Sequence, residues 1–196
     1  MAEPGRAAWA FLPLPCATMV SIGSLYSFSF WRAGFFRHFQ RCAEGARGGC
    51  WDEHSLDVVF SLGVLGSFIT FLGGFVYDRR GPVATAALGM ALEACGFGGM
   101  LLLLWRGGAP PPALFGALYF LEELGAAVLY MLALCAGLRA FPQSHAGCVA
   151  GLLLCSYSLG SVLWRALAVG PFGFAPDAEP GDTRLAGLFA TALALA

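Results

Sequence analysis

The sequence contains no lysine, and its eleven basic residues are all arginine. Charged side chains make up 12% of the 196 residues, about half the share in an average soluble domain. With twelve acids the formal charge is -1, so no basic excess exists to neutralise nucleic-acid phosphates. The scarcity of charge also excludes a disordered chain, because apolar surface is ample. No C-x-x-C pair is present, and three scattered histidines offer no metal-ligand spacing. The seven cysteines sit mostly inside apolar runs, which excludes a small disulfide scaffold. No G-x-S-x-G elbow accompanies Ser144, His145 or Ser161. No enzymatic activity, cofactor or metal is therefore expected.

What is present is apolar: 58% hydrophobic residues, with a mean hydropathy of +0.72. A bilayer core about 30 Å thick needs about 20 apolar residues of helix. The gaps between charges mark such spans at Trp9–Trp31, Ser55–Tyr77, Val83–Trp105, Ala113–Phe141 and Ala146–Pro171. A sixth apolar run occupies Leu185–Ala196. Hydrocarbon offers no partner to a bare N–H, so each span must be helical. Barrel strands would be about half as long and would alternate in polarity. The expected fold is all-α, a multi-pass transmembrane bundle forming one membrane domain over 1–196. The first span exceeds the usual apolar core of a signal peptide and reads as a retained helix.

The first loop is long and holds Arg32, Arg37, Arg41 and Arg47; its Cys42 and Cys50 suit either a bridge or free thiols. The next connections are short, which makes neighbouring helices antiparallel. Counting arginines does not fix the orientation: the first loop is rich in them, while Arg6, Arg79, Arg80 and Arg139 lie on the opposite side.

A charge at the bilayer centre costs about 2.5–3.5 kcal/mol on insertion scales, so four residues inside the spans require an account. Glu93, Glu122, Glu123 and Arg165 either line a cavity for a proton, ion or charged solute, or are neutralised, paired or interfacial. Glu122 and Glu123 point about 100° apart on a helix, so at most one faces a cavity squarely. Tyr26, with Ser27, Ser29 and Trp31, forms a polar-aromatic stripe that suits either a solute path or an interfacial belt. Gly147 and Gly151 form a G-x-x-x-G that permits close helix packing.

Between the second and third spans lies Gly74-Phe75-Val76-Tyr77-Asp78-Arg79-Arg80-Gly81-Pro82. It resembles the G-x-x-x-D-R-x-G loop of the major facilitator superfamily, with Gly74, Asp78, Arg79 and Gly81 matching and Pro82 and Val83 departing from the terminal basic pair. Gly137 to Gly147 and Gly23 to Phe30 are similar to stretches of the nodulin-like and monocarboxylate (oxalate–formate) branches. Gly66-Ser67-Phe68 through Pro82 is similar to the related amino-acid branch. The fourth span lacks the buried arginine that many proton-coupled members carry near its start.

The resemblance implies the N-terminal six-helix half of a transporter, cut within its sixth helix. Its function would be secondary active transport of a small organic solute, monocarboxylate-like or amino-acid-like, by rocker-type alternating access. Asp78 and Arg79 would serve as cytoplasmic gate elements. The implied partners are the lipid bilayer, the solute, and a missing C-terminal half or a second chain, with no nucleic acid. The membrane would be the plasma membrane or that of an organelle. The alternative is a non-transporting membrane scaffold or half-transporter subunit that needs a partner chain.

Overall fold

A computed structural model describes residues 6–23, 32, 35, 39, 51–106 and 110–169. Most of these residues are helical, with no strand among them. Helix α1 spans Arg6–Phe11 and α2 spans Pro13–Ser21. They part at Leu12 because Pro13 supplies no N–H to continue the ladder. Helix α3 spans Glu53–Ser67, α4 Thr70–Trp105, α5 Pro112–Arg139 and α6 Ala146–Val169.

The ends of these helices follow from local chemistry. Asp52 caps α3, accepting hydrogen bonds from the Ser55 amide at 2.7 Å and the Ser55 hydroxyl at 2.6 Å. The Ser55 hydroxyl and amide hold the Asp52 carboxyl below its usual range. The cap's contribution is therefore present at neutral pH and fades as pH falls through that lowered value. The α3 helix stops where Ser67 donates its hydroxyl to the Val64 carbonyl at 2.8 Å, a back-bond that bends helices. Proline at the first turn starts α5. After α5, Pro142 and a single 3₁₀ turn, Gln143–His145, lead into α6.

Three helical stretches are long and apolar enough to cross a membrane: Glu53–Trp105, Pro112–Arg139 and Gln143–Leu167. The first has 53 residues, about 80 Å if straight. It does not run straight. Gly81 has φ 80 and ψ 179, whereas helical geometry holds on both sides. That conformation is essentially reserved for glycine. The chain reverses there, as shown by which residues of α5 each side meets. Before the turn, Gly63 meets Tyr119, Gly66 meets Phe120 and Gly73 meets Val128, so this arm runs parallel to α5. After it, Gly89 meets Leu129, Gly96 meets Glu122 and Gly99 meets Leu118, so this arm runs antiparallel. Helix α6 is also antiparallel to α5, with Gly137 near Val149 and Tyr130 5.7 Å from Tyr157.

Helix α5 is thus the axis of the bundle, and glycines let its neighbours approach. A methyl group on Gly96 would lie 2.6 Å from the Glu122 nitrogen; one on Gly125 would lie 2.7 Å from the Glu93 nitrogen. One end is closed by aromatics. Phe39 stacks on Trp51 at 4.3 Å, Phe35 and Phe115 pack edge-on, and the Trp51 indole donates to the Pro110 carbonyl at 2.8 Å. Beside this cluster, Arg32 pairs with Asp57 at 2.9 Å. Between α2 and α6, Gly23 and Gly160 bring the backbones together, and the Trp164 indole donates to the Ser21 carbonyl at 3.0 Å.

Gly147 and Gly151 meet nothing within 4 Å among the described residues. The close approaches are made by other glycines. Tyr26, Cys42, Cys50 and the run from Leu185 lie outside the described residues, and the five described cysteines are free.

Replacing Gly96 by alanine therefore forces backbone apart and costs about 1–3 kcal/mol, as overpacking does. Gly151→Ala meets open space. Thermal unfolding in detergent should show a lower Tm for Gly96→Ala and an unchanged or raised Tm for Gly151→Ala. Equal losses in both would contradict the α4–α5 seam.

Candidate functional site

The interior of the bundle holds three carboxyl groups. Glu93, on the arm of α4 after the turn, is 2% exposed; Glu122 and Glu123 on α5 are 0% and 1% exposed. Glycine places them together: Glu93 packs against Gly125, and Glu122 packs against Gly96. The buried Tyr119 lies one turn before Glu123, and these four groups are near enough to act on one another electrostatically. Buried acids of this kind are expensive in any low-dielectric interior.

Adjacent positions on α5 send the two glutamates different ways. Glu122 enters the seam with α4. Glu123 sits beside Gly66 of α3 and lines a recess of about 470 Å³ between the α3–α4 bend, α5 and α6. Its buried carboxyl is reached by the side chains of Tyr119 and Glu122. The polar wall of the recess comprises Ser67, Thr70, Tyr130, Tyr157 and Ser158 besides Glu123; the rest is apolar, with Ala126, Ala127, Phe68 and Leu154. Among the described residues, the lining contains no arginine or histidine.

Two larger grooves, of about 770 and 600 Å³, run along the α2 side and share Leu14, Thr18, Ala86 and Leu132. Their linings are mostly aliphatic, with Arg139 at one end. The smaller recess is where chemistry is concentrated.

The other candidate residues take separate places. Asp78 accepts a hydrogen bond from Arg139 at 2.8 Å, tying the turn to the end of α5. The Arg139 guanidinium also lies 4.7 Å from the Tyr77 ring centre. Arg79 instead lies over the Phe75 ring at 4.2 Å. Gly81 makes the turn. A methyl group on Gly74 would make only ordinary contact with Met131, at 3.5 Å; the close approach belongs to Gly73, at 2.9 Å from Val128. Arg165 is exposed on α6 and is not part of the recess. Among the described residues, no group of three or more His, Cys, Asp and Glu side chains is arranged to hold a metal ion.

Thr70, Tyr130, Tyr157 and Ser158 carried no signal of their own in the sequence, and Ser67 entered only through the resemblance of Gly66-Ser67-Phe68. Their common feature, polar side chains facing Glu123, requires knowing that α3 runs parallel to α5 and α6 antiparallel to it.

No family model, curated protein or solved structure matches this chain.

In a background lacking the native cysteines, Asp78→Cys combined with Arg139→Cys should cross-link through a short bifunctional thiosulfonate. Cross-linking is read as a mobility shift on a denaturing gel. No cross-link would place the turn away from the end of α5.

Proposed function

We propose that this chain is one helical half of a secondary transporter of the major facilitator type, carrying a small organic solute across a membrane by alternating access. A second helical half, on another segment or another chain, completes the path. The observation that carries this reading is the inverted distribution of polarity. Phe68 and Phe71 are 76% and 72% exposed, and Phe75, Leu65, Val83 and Trp105 also face outward. Three carboxyls face inward, and polar side chains line a recess beside one of them. Large exposed apolar faces are a liability in water and the rule in lipid. An ionisable group inside a lipid-embedded bundle is a solute- or ion-site candidate by default.

The turn at Gly81 supplies a gate. Asp78 and Arg139 form a bond between two helix ends, both more than half exposed. A contact in water is weak enough to break and re-form as one half rocks against the other. Arg79, lying over Phe75, is free of Asp78 and available to a second half.

The test is uptake in cells that make the protein natively together with its second half, compared with cells in which it is deleted or replaced, with radiolabelled lactate and phenylalanine as representatives of monocarboxylates and amino acids. The expected result is saturable uptake of at least one, reduced about tenfold by Asp78→Ala, equivalent to about 1.4 kcal/mol. Uptake no greater than in control cells, or full uptake with Asp78→Ala, counts against the reading.

A further inference from the structure

We infer that the cluster of Glu93, Glu122 and Glu123 holds the proton that couples solute movement to a proton gradient. This rests on the transport reading and names its coupling ion. The seam between α4 and α5 brings the acids together reciprocally. Glu93 lies against Gly125, and Glu122 lies against Gly96. On each helix the glycine follows the glutamate by three residues, so in antiparallel helices the two acids are about 4.5 Å apart along the seam axis. Glu123 is the next residue on α5, and the side chains of Glu122 and Tyr119 reach its carboxyl. Each of the three acids is at most 2% exposed.

That arrangement makes the acids share protons. An ionised carboxylate only accepts hydrogen bonds, so one carboxyl bonds another only through a proton that one of them holds. Three like charges this close in a low-dielectric interior also repel one another strongly. Tyr119 on α5 and Tyr157 on α6 are the titratable groups beside the acids, and α3 meets Glu123 with Gly66. The cluster has one edge toward the path. Glu93 and Glu122 face the seam, whereas Glu123 borders the recess with the hydroxyls of Ser67, Thr70, Tyr130, Tyr157 and Ser158. At 1% exposure Glu123 is closed off from bulk water, and a proton in free exchange with both sides would dissipate the gradient. When the halves rock and water enters the recess, Glu123 gives its proton to a water molecule as hydronium and becomes a carboxylate. Uptake of a proton from the other side restores it, so one proton moves with each solute. Buried carboxyl relays serve membrane bundles in this way.

The site and the coupling are tested by separate measurements. In the purified full chain in detergent, the infrared carbonyl stretch of protonated carboxyl groups should be present at neutral pH and should weaken in Glu122→Gln and in Glu123→Gln. The second measurement uses membrane vesicles from cells that make the protein with its second half, with the membrane potential clamped. An inward gradient of about one pH unit should drive up to about tenfold accumulation of radiolabelled lactate or phenylalanine, equivalent to about 1.4 kcal/mol. Glu123→Gln is nearly isosteric and permanently neutral, like the protonated acid. It should lose accumulation and keep solute exchange at equal pH, because exchange requires no deprotonation.

Absence of the infrared band, a band unchanged in both variants, or undiminished accumulation by Glu123→Gln overturns the inference. The band and the gradient dependence of the native protein decide the matter even where a variant fails to fold. The two claims fail distinguishably. Uptake of either solute that ignores the pH gradient removes the coupling and leaves transport. No uptake of either solute removes the transport reading and the coupling with it, and the band then marks a structural proton alone.

Discussion

Helix α5 packs both arms of the reversed chain closely because glycines on them leave room for it. Gly66 and Gly73 on one arm and Gly96 on the other meet its backbone, while Gly63 and Gly89 make space for the Tyr119 and Leu129 side chains. Gly125, on α5 itself, completes the seam with Glu93. Buried apolar side chains form two clusters around these seams, one with Trp51, Phe97 and Phe115 and one with Met19, Leu129 and Leu153, and dispersion contacts hold both.

That packing also decides the fate of the acids. Glu122 and Glu123 are neighbours in sequence and differ by one step around the helix. One step is enough to put Glu122 against a glycine-lined seam and Glu123 on the wall of a recess. The α3–α4 bend matters in the same way. Ser67 back-bonds to Val64, the helix changes direction, and Ser67 and Thr70 come to line the space that the bend opens. The site is therefore a consequence of two irregularities, a helix interruption and a pair of adjacent carboxyls, set in an otherwise close-packed bundle.

The helical class and the long apolar stretches could be read from the spacing of charges, because only helix satisfies the backbone over runs of that length in an apolar medium. The need for glycine at Gly81 could be read as well, since a short connection between antiparallel helices demands an unusual backbone angle. The break at Leu12 carries its signal in Pro13, whereas the one at Phe68–Ile69 could not be read, because Ser67 and Thr70 are as compatible with a continuous helix as with a bend. Nor could the choice of Gly73 over Gly74 for close approach, or of Glu123 over Glu122 for the recess. Each depends on the rotation of a helix about its own axis, and uniformly apolar sequence does not encode that rotation. The glycine pattern of Gly147 and Gly151 illustrates the same ambiguity: the spacing permits a packed face, and the described residues put nothing against it.

The indole of Trp164 grips the carbonyl of Ser21 across 143 positions of chain. The α2–α6 seam thus closes α3, α4 and α5 within a single loop of chain, and a loop that long carries a larger entropic cost of closure than any contact between successive helices.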